Sequence, residues 1–188
     1  MHLKEHFLEV NPSGSMPMFM RNGVKIVGSP NMFYRYMMNS GDVIKSKFYQ
    51  DNQRENIEKH MNWFNAKMKP LTDRICRMIV DPIVNHDVPA EKDKINKEIE
   101  EFFGKLLVAL NNQLQSDKFF AGSDVSVADV MYYHEIAQIL KVTQKKNLDS
   151  SKVPALSKWY DQMNNNSINM ELTNQYVEVL KNHDIINA

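Results

Sequence analysis

Phe120-Ala121-Gly122-Ser123-Asp124-Val125-Ser126-Val127-Ala128-Asp129 is the stretch that decides how this chain folds. Ser126 is a preferred N-cap residue, and Asp129 stands three positions later, where an acidic side chain can reach back to the cap. The pair predicts a helix that starts sharply at Val127, and both residues are read as capping residues, not catalytic ones. Working outward, the chain upstream is helical too. From Gln53 to about Val80, Ile57, Met61, Phe64, Met68, Leu71, Ile75, Met78 and Ile79 recur at intervals of three and four. That spacing predicts one long amphipathic helix, bent near Pro70. Asn85-His86-Asp87-Val88-Pro89 breaks the pattern. A second stripe (Ile95, Ile99, Phe102, Phe103, Leu106, Leu107, Leu110, Leu114) runs from Ala90 to about Gln115. Downstream, Pro154 to Asn164 and Asn169 to Asn182 give two more helices. Residues 45–188 thus read as an all-helical module.

The first forty residues read differently. Residues 2–9 suggest a short helix, with Leu3 and Phe7 four apart, stopped by the turn residues Asn11-Pro12-Ser13-Gly14. Met16 to Met20 alternates as a short strand. Asn22-Gly23 is a tight hairpin signal, and the β-branched Val24-Lys25-Ile26-Val27 supplies the second strand. Ser29-Pro30 starts a helix to about Met38, with Ser as N-cap and Pro at the first position. Asn39-Ser40-Gly41-Asp42 begins a linker. The fold class is therefore mostly α: a small α/β piece at 1–40 followed by helices.

Composition narrows the function classes. Twenty-three basic residues balance twenty-three acidic ones, so there is no electrostatic footprint for nucleic acid. No stretch approaches the ~20 apolar residues of a membrane span. The single cysteine, Cys76, cannot form an internal disulfide, which fits a reducing intracellular compartment, cytoplasmic or mitochondrial. Flanked by Arg74 and Arg77, Cys76 is expected to be a buried small hydrophobe and not a reactive thiolate. Met16, Met18 and Met20 could offer soft ligands to Cu(I), but a Met-filled strand face is the expectation in a chain this rich in Met. His2 and His6 stand at i and i+4, yet no carboxylate or Cys completes a set, so no metal site is expected.

Three elements in register resemble the glutathione transferase superfamily, with a theta-like flavour. They are His2-Leu3-Lys4-Glu5-His6-Phe7-Leu8-Glu9-Val10-Asn11-Pro12-Ser13-Gly14-Ser15-Met16-Pro17 with Gly23 to Ser29; the Gly122-Ser123-Asp124-Val125-Ser126-Val127-Ala128-Asp129 stretch; and Val153-Pro154-Ala155-Leu156-Ser157-Lys158-Trp159. The resemblance implies that residues 1–40 are part of a thioredoxin-like domain (helix, β-hairpin, helix) and that 45–188 are the family's helical C-terminal domain. It further implies that the leading βαβ unit, with the family's catalytic Tyr, Ser or Cys, is absent from this chain. By the same resemblance His2 lies near the glycine end of glutathione. Met16 pairs its backbone with the cysteinyl moiety, Pro17 is the cis-proline exposing that backbone, and Ser29 binds the γ-glutamyl carboxylate. Gly28 replaces the acid or amide expected before that serine, which removes the partner of the γ-glutamyl amine. Structural roles compete for these positions: Pro17 shapes the fold and Ser29 caps a helix whether or not a ligand binds.

The expectation is a non-catalytic, glutathione-transferase-like accessory or scaffold subunit of a larger intracellular complex. Other protein subunits would cover the open edge of residues 1–40. No cofactor is expected, and glutathione is the one ligand the resemblance brings. The alternative is a theta-like glutathione transferase that conjugates glutathione to electrophiles, its catalytic segment missing from this chain. A dimeric ligand carrier is the third reading, with the family-type homodimer weakened by the incomplete first domain.

Overall fold

Twelve of the sixteen residues of one helix, Val127–Val142, are buried. A helix buried over most of its surface belongs in the middle of a core. In the computed structural model the described residues are 4–15, 18–21, 23–28, 32, 34–36, 48–84, 89 and 91–186. They fall into two compact units, Met1–Asp51 and Asn52–Ala188.

In the first unit, helix α1 spans Glu5–Val10, and Leu3 of the expected helix lies outside the described residues. The chain then reverses around a buried Asn11. Its backbone N–H closes the helix on the Phe7 carbonyl (2.7 Å) and its side-chain amide donates to the Ser15 carbonyl (2.7 Å). Its Oδ1 accepts from the Ser13 hydroxyl (2.7 Å). Asx chemistry of this kind makes a rigid turn out of a polar sequence. Strands β1 (Met18–Arg21) and β2 (Val24–Val27) pair antiparallel, with Met18 opposite Val27 and Arg21 opposite Val24. That register leaves a two-residue loop, and Gly23 takes φ +78° in it. The Lys25 ammonium donates back to the Val10 carbonyl, tying β2 to the end of α1. Residues 34–36 are helical, and the Tyr36 ring packs 5.4 Å from Phe19. The remainder of the helix expected at Pro30–Met38 and the linker expected at 39–42 lie outside the described residues.

A short 3-10 turn (Asp51–Gln53) carries the chain from the first unit into the second, where α2 (Arg54–Trp63), a π-helical turn (Phe64–Met68) and α3 (Lys69–Val84) follow. This is the long helix read from the sequence, carried one turn further. The bend expected at Pro70 takes the form of the π turn, in which the Lys69 N–H donates to Phe64, five residues back. Pro70 has no N–H for the Ala66 carbonyl and its ring crowds that oxygen in a regular α-helix. A widened turn just ahead of it relieves both problems. Helix α4 (Lys92–Glu101), a second π turn (Phe102–Leu106) and α5 (Leu107–Gln113) follow. Then come the central α6 (Val127–Val142), α7 (Pro154–Asn164) and α8 (Ser167–Asn182). The last begins two residues before its expected start because Asn166 accepts the Asn169 N–H (3.4 Å) and acts as its cap. α6 packs against α2, α3 and α8, while α7 packs against α5 and α8.

Helix α7 lacks a capping side chain of its own: Val153 precedes Pro154. The buried Asn111 of α5 takes that role from another helix. Its Oδ1 accepts the Ala155 N–H (2.9 Å) and the Leu156 N–H (3.1 Å). Asn111→Ala is expected to lose about 1–3 kcal/mol of stability, the cost of two orphaned donors at a buried helix start. Urea unfolding reads this directly, and Asn111→Asp, which keeps the acceptor, should retain most of the stability. An unchanged midpoint for Asn111→Ala would remove the cross-helix cap from the account.

Candidate functional site

His2, Met16, Pro17 and Ser29, the residues expected around glutathione, lie outside the described residues. Their flanks are described. The Asn11 turn ends at Ser15, the hairpin starts at Met18, and Gly28 follows β2 with φ +109°. A Cβ built at Gly28 would meet no atom within 4 Å, so space alone does not demand glycine there; the backbone conformation does. No side chain at 28 is present to meet an ammonium group.

Ser126 and Asp129 come together at the start of α6. The Asp129 carboxylate is fully buried and receives four donors. Oδ2 accepts the Ser126 N–H (2.9 Å) and the Ser126 hydroxyl (2.8 Å). Oδ1 accepts the Phe120 N–H (3.0 Å) and the Trp159 indole N–H (3.0 Å). The Ser126 N–H bond is one half of the reciprocal cap read from the sequence, and the Ser126 side chain accepting the Asp129 N–H is the other. The pair on Oδ1 reaches into the preceding loop and into α7, and neither partner was foreseen as such. Burial pushes the Asp129 carboxyl above the ordinary carboxylate range, and the four donors offset part of that push. With every donor aimed at it from the protein itself, this carboxylate is a structural hub and has no lone pair oriented for a substrate proton.

A further polar group lies along α3 and α6. The Lys69 ammonium meets Glu135 (3.0 Å) and Asp73 (2.8 Å), and the Thr72 hydroxyl donates to Glu135. Burial lowers the Lys69 pKa, but the Glu135 and Asp73 carboxylates outweigh it and hold the ammonium above its usual range. Cys76 is half-buried nearby, and burial together with Glu135 pushes its thiol up to about 12. It is a thiol at neutral pH and no nucleophile. Among the described residues, no group of three His, Cys, Asp or Glu side chains could hold a metal ion. No described helix is long and apolar enough to cross a membrane.

One cleft was not anticipated from the sequence. It has a volume of about 310 Å³ and lies along α2, lined among others by Lys59, His60, Trp63, Asp117 and Phe120. His60 bridges two segments: it bonds the Phe120 backbone, and its Nδ1 lies 3.3 Å from the Tyr132 hydroxyl. The rings of His60, Trp63, Phe64 and Phe120 all lie within 6.0 Å of Tyr132. Burial, with Lys59 adding to it, lowers the His60 pKa to about 4, so the imidazole is neutral at pH 7. A lone His on an amphipathic helix carries no sequence signal of this kind, since Phe120 and Tyr132 reach it only through the fold.

A family model described as glutathione S-transferase, C-terminal domain, matches residues 75–168. The chain belongs to the glutathione S-transferase family. Glutathione S-transferase D6 of Drosophila melanogaster is 23% identical over 158 residues, which cover 84% of this chain and 67% of the relative. Glutathione transferase F2 of Populus trichocarpa superposes with a TM-score of 0.74 at 19% identity, over 95% of this chain and 82% of that one. A delta-class glutathione transferase of Nilaparvata lugens does so at 0.69 and 21% identity, over 97% and 82%. At such identities the structural likeness is one of fold. Within this glutathione S-transferase fold, the Ser126–Asp129 box and Trp159 lie inside the matched residues, and Gly28 lies ahead of them.

Two outcomes are expected. Asp129→Ala should cost about 3–5 kcal/mol, because four buried donors lose their acceptor at once; a loss under ~1 kcal/mol in urea unfolding would contradict the hub. Unfolded His60 titrates near 6.5 and folded His60 near 4, so the unfolded chain binds the extra proton between those values. Stability from this group is present above pH 6.5 and is lost as pH falls towards 4. The drop in unfolding midpoint from pH 7 to pH 5 should therefore be smaller in His60→Gln than in the wild type, with any remaining slope shared by His134, which burial also lowers.

Proposed function

We propose that this glutathione S-transferase family member is a non-catalytic accessory or scaffold subunit of a larger intracellular assembly. The observation that carries the reading is Gly28. The resemblance puts an acid or amide at this position, beside the γ-glutamyl amine of glutathione. Here the position has no side chain, and φ +109° is a conformation that L residues with a side chain rarely adopt. A hydrogen bond to a charged group, typically ~1.5–3 kcal/mol, is forgone, about one to two orders of magnitude in affinity. The inert groups of the helical unit support the same reading: a thiol at Cys76, a neutral imidazole at His60 and a saturated carboxylate at Asp129. Partner subunits would bind along the 1–40 segment, as expected for an exposed hairpin edge.

The second reading is a theta-like transferase that conjugates glutathione to electrophiles. The names of the relatives favour it, since the D6 protein and the structural neighbours are themselves called glutathione transferases. Binding separates the two. The scaffold reading expects the native protein to pass through glutathione resin unretained and to co-purify in stoichiometric amounts with other chains in native mass spectrometry. Retention on the resin, elution by free glutathione and conjugation of a chloronitrobenzene substrate would replace it with the transferase reading.

A further inference from the structure

Of the residues that line the cleft along α2, only two carry charge at neutral pH. Lys59 stands on α2, and Asp117 stands in the loop that leaves α5. His60 is the third ionisable group, and burial lowers its pKa to about 4, so it adds no charge. Its ring is also engaged within the protein, with the Phe120 backbone and with the Tyr132 hydroxyl 3.3 Å from Nδ1. The Asn56 amide donates to the Ala121 carbonyl (3.4 Å). The cleft thus holds one cation and one anion on different elements, with no net charge.

Neither charge is answered by the protein. Lys59 and Asp117 form no ion pair with each other or with another described residue. Asp117 Oδ2 accepts the hydroxyl of its neighbour Ser116 (2.9 Å), and Oδ1 has no partner among the described residues. Both side chains are exposed. Trp63 follows Lys59 by four positions on α2, so the indole and the ammonium share one face of the helix. The Trp63 side chain is half-buried, whereas Phe120 and Ala121 are buried behind it. The apolar surface open to a ligand in this cleft is therefore that of Trp63.

We propose that this cleft binds the zwitterion of a free aromatic α-amino acid, its carboxylate at Lys59, its ammonium at Asp117 and its ring on Trp63. A dipolar cleft without net charge suits a molecule that carries one charge of each sign. Each end then makes a charge-assisted hydrogen bond, which is the strong kind. The ring meets the indole in the offset or edge-to-face contact that aromatic pairs prefer. At about 310 Å³ the cleft lies at the lower end of small-molecule sites, roughly 300–1,000 Å³, which suits one amino acid and not a longer peptide. The inference rests on neither reading of the function, since every residue it uses belongs to the helical unit.

The test is titration of the full chain with L-phenylalanine, followed by NMR of the backbone amides and of the Trp63 indole N–H. Phenethylamine, which lacks the carboxylate, and 3-phenylpropionate, which lacks the ammonium, are the controls. Phenylalanine is expected to shift the Trp63 indole and residues 56–63 and 117–122 saturably, and each control to bind at least about tenfold more weakly. Lys59→Met should weaken phenylalanine by about tenfold and leave phenethylamine unchanged, because that control has no carboxylate to lose a partner. Asp117→Asn should weaken phenylalanine by a similar factor and leave 3-phenylpropionate unchanged. Both positions are exposed, so both variants are expected to fold, as their thermal unfolding will show. The proposal is overturned by either control binding as tightly as phenylalanine, by undiminished binding to either folded variant, by saturable shifts confined to other residues, or by no saturable shift at all.

Discussion

A carboxylate taken out of water survives in a protein interior only where donors replace its hydration. At Asp129 four donors come from three places: the loop at Phe120, the cap at Ser126 and the indole of Trp159 on α7. One side chain therefore fixes where α6 starts, how the preceding loop approaches it and which face of α7 turns inward. Phe120, held by this bond, packs 4.9 Å from Trp159 and 4.3 Å from Tyr132. The aromatic cluster is thus built on the cap. Remove the acceptor and the loop, the cluster and α7 lose their common reference, which is why the rest of the helical unit depends on it.

Around that point the helices accommodate their irregularities without breaking. The π turn before Pro70 lets a proline sit inside a continuous helical run, and Phe64 and Met68, at its two ends, are both buried. The second π turn repeats the pattern, with Phe102 and Leu106 buried at its ends. Widening one turn keeps both ends of the segment facing the core while one hydrogen bond is rerouted five residues back. The cost is local, and packing of the first run against α6, and of the second against α3 and α7, supplies the stability that helix propensity alone would not.

Much of this was legible in the residues. Periods of three and four gave the helices, Ser126 with Asp129 gave the start of α6, and Pro154 gave α7 from its first residue. Asn-Gly gave the hairpin turn because few other pairs tolerate its backbone. What stayed hidden was every interaction between residues far apart in the chain. Asn111 capping α7 from forty-four positions away, Trp159 reaching Asp129 across thirty, and His60 meeting Tyr132 across seventy-two carry no local pattern. A side-chain amide or indole reads the same whether it faces water or caps another helix, so periodicity is silent on it. Of the expected site, the capping pair Ser126 and Asp129 stands where the sequence put it, at the start of α6.

Burial suppresses charge on several groups of the helical unit. Burial raises the Cys76 thiol and the Tyr176 phenol to about 12 and pushes Tyr132 and Tyr160 up as well, while it lowers His60 to about 4. Each of these shifts favours the uncharged form at neutral pH. General acid–base and nucleophilic chemistry need the opposite, a group poised near the working pH or a stabilised anion. Where the interior does hold charge, at Lys69 and Glu135, opposite charges and a hydroxyl consume it locally. What charge the interior keeps, at Asp129 and at Glu135, is answered donor by donor from neighbouring elements, so the charges serve the packing of the helices on one another.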